Sequence, residues 1–528
     1  MAAPQMHEPA EVVIVGSGMA GSTLAAELAR AGLDVLTLEA GPARHVQDMV
    51  SSQIWSRRLR WGGAPIEGDG DLTGAITFGM GWGTGGAGLH WYGNWYRFQE
   101  NDFKEHSLWG RGLDWPIEYQ DLRTAYDRAQ QQFGISGDLA RESWGPPADE
   151  YPMPALPELL QTRVLRKGFE ARGFQTAPNS QAINSRAFDG RAPCIFDGWC
   201  DAGCPIGALA NPLVLQWPKA FAAGARLRND AEVMRIVTNA TGRRVVGVEY
   251  RDTRGELHVQ PADFLIVACH TIPNARLLLL SANATHPNGL ANRSGLLGHH
   301  FLSHPAISIF GLFDQPTEPH RGLSGGNLVS RDGYDDKRPA PNAFGSRSWV
   351  AAQAAKPNGL LGIAMTRPDL YGTAFETFLR RATRHLGQMT AFCEETSLPE
   401  NRVELSTTSR DRFGLPAAKV INRLPAENAA RVALARDEGI EILQAAGAVE
   451  IWAGPTVGIH QTGGTVMGMS ADDSITNSFG QTHEIENLFI AGASLFPTIA
   501  AVNPTGTLCA LALRTADYII SERAALLA

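Results

Sequence analysis

Val12 to Val15 are four consecutive apolar residues, and Val35 to Leu38 form a second apolar run interrupted by one threonine. Runs without a polar alternation are the pattern of strands buried on both faces, as in a parallel sheet. Between them lie a glycine turn and Ser22 to Ala31, whose spacing predicts a helix. The three predict a βαβ unit at the start of the chain. Val245 to Tyr250 and Phe264 to Ala268, with Gly255 between them as a turn signal, predict further strands within 225 to 270. Arg431 to Ala445 and Thr505 to Ser521 carry helical spacing, and Pro146 to Pro157 reads as a surface connection. Residues 301 to 400 show no sustained period, and they are assigned, with part of 101 to 190, to a cap over the functional site.

Composition narrows the class. The 528 residues are 44% hydrophobic and 19% charged, with 56 Gly and 31 Pro, the profile of a large loop-rich globular protein. A prior of roughly 150 residues per domain suggests three domains, but interwoven folds break that count, and two are expected. A net charge of -8 and the lack of a Lys/Arg run exclude nucleic acid from the expected partners. The longest strongly apolar runs, such as Phe264 to Cys269 and Leu277 to Leu280, fall well short of the ~20 residues of a membrane span. The segment before Val12 has no basic region followed by an apolar run, so any export is expected to need a partner.

Gly16, Gly18 and Gly21 form G-x-G-x-x-G between the first strand and helix, and Glu39 ends the next strand. That order suits a dinucleotide: a tight turn, backbone approach to a pyrophosphate at a helix N-terminus, close helix packing, and an acid for the ribose. The fingerprint at the N-terminus and a dinucleotide-like segment returning near the C-terminus favour FAD over NAD. Residues 79 to 94 contain seven glycines, a loop whose backbone can approach a large flat group.

The C-terminal region carries the most specific signal. It reads His460-Gln461-Thr462-Gly463-Gly464-Thr465-Val466-Met467-Gly468, then Asn487-Leu488-Phe489-Ile490-Ala491-Gly492-Ala493, then Asn503-Pro504-Thr505. These segments resemble the signature of the glucose-methanol-choline oxidoreductase family, with Gly464 in place of the usual Thr. The resemblance extends through Gly16 to Gly41, Gly83 to Asn94 and Pro287 to Pro305. It implies an α/β fold in which a Rossmann-like FAD-binding domain (10–100, 190–300 and 450–528) is interwoven with a β-sheet-containing substrate cap (101–189 and 301–449). It also implies oxidation of an alcohol or sugar hydroxyl. His460 is then the expected base, since a neutral imidazole can take the hydroxyl proton as hydride leaves carbon. Asn503 is the expected holder of the substrate oxygen. The implied cofactor contacts are Gly16, Gly18, Gly21, Glu39, Gly85, Gly86, His90, Asn94, Val233, Gly492, Ala493, Asn503, Pro504 and Thr505. In some sugar-oxidising relatives a His-Trp pair at the place of His90-Trp91 carries the flavin covalently; a noncovalent flavin beside His90 is the expectation here.

Cys194, Cys200 and Cys204 crowd into eleven positions, in a spacing that does not match paired zinc ligands. Three thiolates in a short loop suit an iron-sulfur cluster, with free cysteines or one disulfide as the competing readings. The Cys204-Pro205-Ile206-Gly207-Ala208 tail, with Asn184 to Arg186 and Asp189 to Arg191 upstream, resembles the catalytic subunit of bacterial FAD-dependent sugar dehydrogenases. That resemblance implies a 3Fe-4S cluster, a small subunit carrying an export signal, a multihaem cytochrome c or other acceptor, and a periplasmic location, with the cytoplasm as the alternative. Cys269, Cys393 and Cys509 read as core residues. Two other readings stand beside the dehydrogenase: an oxidase of the same family that uses oxygen, and a lyase in which FAD is structural.

Overall fold

The computed structural model describes residues 4–60, 62–74, 76 and 79–527. Two large sheets organise them. The first runs Arg226–Arg228, Val35–Leu38, Ala10–Val15, Leu257–Val267, Val245–Arg251, Glu232–Thr238, with Gln5–Met6 and Leu488–Ile490 also paired to Leu257–Val267. Leu257–Val267 is the joint of this sheet: its first half pairs antiparallel with Val245–Arg251, its second half parallel with Ala10–Val15 and Leu488–Ile490. The parallel half is buried on both faces, as the unbroken apolar runs require. The helix after the first strand spans Met19–Arg30 and so begins three residues earlier than its spacing suggests, with extended Gly18 as its N-cap. Gly21 faces the turn directly: a Cβ there would sit 2.0 Å from the Gly16 carbonyl oxygen.

The second sheet is antiparallel and runs Glu450–Ala453, Leu302–Leu312, Leu386–Cys393, Arg347–Ala351, Leu328–Ser330, Ala177–Pro178, with Val457–Thr462 also against Leu302–Leu312. Residues 301 to 400 therefore hold four of its strands. No period was visible because Leu302–Leu312 and Leu386–Cys393 are buried on both faces, one by the helix Ala426–Ala445. That helix starts five residues before its predicted beginning, and the C-terminal one continues from Thr505 to Leu527. The connection 146–157 is less superficial than expected, for Met153 and Leu156 are buried. No helix among the described residues is long and apolar enough to cross a membrane. Val457–Thr462 and Leu488–Ile490 belong to different sheets, so the chain crosses between them after Thr462.

Candidate active site

Glu39 organises the nucleotide end of the first sheet. Its carboxylate accepts from the Ser17 amide (3.1 Å), the Ser17 hydroxyl (2.6 Å), the Gly41 amide (2.9 Å) and the Gly83 amide (3.1 Å). The Gly85 amide in turn donates to the Ser17 hydroxyl at 3.1 Å. One buried carboxylate thus ties the glycine turn, the end of the second strand and the glycine-rich loop together. Burial raises its pKa, and those donors oppose the rise. A ribose reaching Glu39 would share the carboxylate with Ser17. Val233 lies two residues beyond Ala231, whose amide donates to the Glu39 carbonyl oxygen at 2.9 Å.

The fit of a dinucleotide can be tested on Gly18. A Cβ built there meets no atom of the described residues within 4 Å, whereas Gly86 approaches the Gly18 backbone from the glycine-rich loop. Open space above an extended helix N-cap, walled by a second glycine loop, is a cradle for a pyrophosphate. Farther along, Gln461 Oε1, Thr465 Oγ1 and Asn503 Oδ1 are buried without a hydrogen-bond partner among the described residues. Unpaired buried polar atoms of this kind call for a ligand or ordered water. The residues present fit FAD. Gly492 (φ +106) and Ala493 sit where the His460 segment is laced to the C-terminal loop by Gly463 N to Ala493 O (3.0 Å) and Thr465 N to Ser494 O (3.0 Å). His90 is buried, its Nε2 lies 2.8 Å from the Met80 carbonyl, and burial lowers its pKa to about 3. Asn94 is turned to the protein: its Oδ1 accepts from Asn179 and Gln181, each at 3.0 Å.

The reactive centre is built at a β-bulge. Leu302 pairs with Thr462 and His304 with Ile459, so His460 and Gln461 together oppose Ser303. A bulge re-aims a side chain, and His460 accordingly takes a left-handed backbone, φ +57. Asn503 arrives from the loop that precedes Pro504 and the helix beginning at Thr505, and its Nδ2 lies 3.1 Å from His460 Nε2. On the other side His460 Nδ1 lies 3.0 Å from His304 Nδ1, and His304 Nε2 lies 3.1 Å from the Ala500 carbonyl oxygen. The Phe392 ring stands 5.4 Å from the His460 ring. Burial lowers the His304 pKa to about 4. Burial first, and His304 second, hold His460 well below the ordinary histidine value. Both imidazoles are neutral near pH 7. His304 was not singled out from the sequence; its one signal was its place within the Pro287 to Pro305 resemblance. An open cavity of about 890 Å³ lined by His106, Arg111, His300 and Glu427 shares no residue with this centre.

Cys194, Cys200 and Cys204 are free thiols in one apolar cluster with Leu156, Ile183, Leu209 and Leu323, against which Trp91 packs. The Phe196 amide donates to Cys194 Sγ and the Leu209 amide to Cys204 Sγ, both at 3.3 Å. Burial pushes the Cys194 and Cys200 thiols up to about 12. Among the described residues, Asp252, Glu256 and His258 bring three ligand atoms within 4.8 Å of one another. Backbone amides that donate to two of the three sulfurs are a setting compatible with an iron-sulfur cluster.

Two profiles of the GMC oxidoreductase family match the chain, one over residues 10–306 and one over 397–512. The chain is 31% identical to the fructose dehydrogenase large subunit of Gluconobacter japonicus, over 97% of this chain and 98% of that one. It is 33% identical to the 2-methyl-1,2-propanediol dehydrogenase of Mycolicibacterium austroafricanum, over 96% and 95%. Against the gluconate 2-dehydrogenase flavoprotein of Pantoea cypripedii the identity is 27%, over 96% and 93%. Among solved structures, a formate oxidase of Aspergillus oryzae RIB40 superposes with a TM-score of 0.68 at 16% identity, covering 99% of this chain and all of that one.

Proposed function

The chain belongs to the GMC oxidoreductase family, an FAD-binding family, and from that premise we propose that it is a dehydrogenase oxidising a hydroxyl of a sugar, glycoside or polyol to a carbonyl. The observation that carries the reading is the approach of two neutral polar groups, His460 Nε2 and Asn503 Nδ2, to 3.1 Å. A substrate hydroxyl can insert there, its proton directed to Nε2 and its oxygen accepting from Nδ2. The Gly16 to Gly21 turn, Glu39, the Gly83 to Gly86 loop and Gly492–Ala493 would hold FAD, which when bound would supply the hydride acceptor. Neutral His460 keeps its lone pair available near pH 7, and Asn503 orients the oxygen without competing for the proton. Oxidation of hydroxylated substrates is the activity named for the fructose, propanediol and gluconate dehydrogenases it resembles.

Cys194, Cys200 and Cys204 would ligate a 3Fe-4S cluster that passes electrons singly to a cytochrome or other acceptor. Their shared cluster with Trp91, which follows His90 in the glycine-rich loop region, supports this reading. The likeness to a protein named as a large subunit supports a smaller partner subunit; an export signal on that partner and a periplasmic site of action belong to the same proposal. The test is an anaerobic screen of sugars and polyols on purified protein, with flavin bleaching, iron and labile sulfide measured on one sample. Substrate-dependent bleaching with about three irons per flavin is expected. Absence of bleaching by any hydroxylated substrate would favour a lyase, and rapid reoxidation by oxygen with no iron would favour an oxidase. Cys200→Ser is expected to lose iron and turnover with one-electron acceptors while substrate still bleaches the flavin.

A further inference from the structure

A neutral histidine has two tautomers, and only one of them leaves the nitrogen facing Asn503 free to accept a proton. The contacts around His460 determine which is present. The Ala500 carbonyl can only accept, so His304 Nε2, 3.1 Å away, must carry the hydrogen. In a neutral ring His304 Nδ1 is then a lone pair, and His460 Nδ1 at 3.0 Å must donate to it. His460 Nε2 is therefore unprotonated, and the amide of Asn503 must present Nδ2 rather than Oδ1 to it.

The chain continues beyond His304. The carbonyl of Ala500 and the N–H of Ala501 belong to one peptide group, and that N–H donates to the Tyr334 hydroxyl at 3.1 Å. Tyr334 donates in turn to Asp102 Oδ2 at 2.9 Å, and Asp102 Oδ1 lies 3.6 Å from the Lys337 ammonium. Every link points the same way: Asn503 to His460, to His304, to the peptide, to Tyr334, to a carboxylate facing a buried cation. His304, Tyr334, Asp102 and Lys337 are all buried. A unidirectional chain in a low-dielectric interior polarises cooperatively, which a mixture of orientations would not. The backbone is bent to serve it, for Ala500 adopts φ +58, a conformation alanine rarely takes. The Ser348 hydroxyl pins the other side of the loop through the Ala501 carbonyl at 2.5 Å.

We propose that His304, the Ala500–Ala501 peptide and Tyr334 are positioning groups that hold His460 in the tautomer with its lone pair on Nε2. The assignment rests on His460 acting as the base, but its most direct readout does not. In protein labelled with ¹⁵N in its histidine rings, the His460 signals, identified by their loss in His460→Asn, are expected to show Nδ1 protonated and Nε2 bare. A protonated Nε2 in the wild type would overturn the proposal whatever the activity.

Function provides the second arm. His304→Leu removes the acceptor for Nδ1 and is expected to slow substrate-dependent flavin reduction about tenfold, roughly the population change when one hydrogen bond ceases to favour a tautomer. Flavin content and KM should stay near wild type. His304→Asn, whose Oδ1 can accept in the same place, is expected to stay within about threefold. Tyr334→Phe should slow reduction roughly two- to fivefold, and should add nothing in the His304→Leu background, because both act through one chain. Additive losses, or His304→Asn no better than His304→Leu, would reduce the chain to ordinary packing. If the ring signals are as expected but His460→Asn reduces its flavin normally, the base reading fails and the tautomer assignment stands.

Discussion

Replacing Gly18 by Ala separates cofactor binding from folding. The substituted Cβ meets no atom of the described residues within 4 Å, and Gly18 already has an extended backbone (φ -70, ψ -162) that alanine adopts freely. The apo-protein should keep its stability to within about 1 kcal/mol, since the lost chain freedom of glycine favours the variant by ~0.4–1 kcal/mol. A methyl group forced against a pyrophosphate in that space carries an overpacking cost of about 1–3 kcal/mol, which weakens FAD binding roughly 5- to 150-fold. Gly21→Ala is the contrast: its Cβ would lie 2.0 Å from Gly16 O, so helix and turn must separate and the apo-protein itself loses stability. Deflavinated protein would be titrated with FAD by fluorescence quenching, with thermal unfolding of the same apo samples. Wild-type FAD affinity in Gly18→Ala would refute the assignment of this space to the pyrophosphate. Equal destabilisation of both apo variants would refute the geometry of the turn.

Lys337 is buried among Glu394 at 2.8 Å and Asp102 and Glu105 at 3.6 Å each, so Lys337→Met should destabilise by roughly 3–5 kcal/mol. Adding Glu394→Gln should recover part of that loss, as measured by denaturant titration. Acid stability should reflect His304: its folded pKa is about 4 against an ordinary 6.5. The unfolded chain therefore takes up a proton that the folded one refuses. Stability falls as pH drops from 6.5 toward 4, by at most about 3 kcal/mol from this group, and His304→Asn should flatten that slope. The His90 ring, with Nε2 2.8 Å from Met80 O, predicts that acid precipitation releases the flavin into the supernatant; flavin pelleting with the protein would show a covalent link.

The βαβ unit was readable because both strands are buried on both faces and the glycines between them have fixed spacing. The same double burial hid Leu302–Leu312, where no glycine fingerprint or turn marked the run as a strand. His460 and Asn503 lie in short motifs and could be named from sequence. Their partners could not: His304 is 156 residues from His460, and Tyr334 is 167 residues from Ala501. Such pairings depend on strand register and on one bulge, neither of which leaves a local pattern. The cysteine loop was visible through spacing, but its setting against Trp91 and the amide donors at its sulfurs depends on tertiary packing.

The most direct test of the account is the rate of anaerobic flavin reduction by a hydroxylated substrate in His460→Asn, followed by stopped-flow absorbance at saturating substrate. If Nε2 takes the hydroxyl proton, the rate falls by about 10²–10⁴ with flavin still bound. A flavin-replete variant that bleaches at the wild-type rate would contradict it.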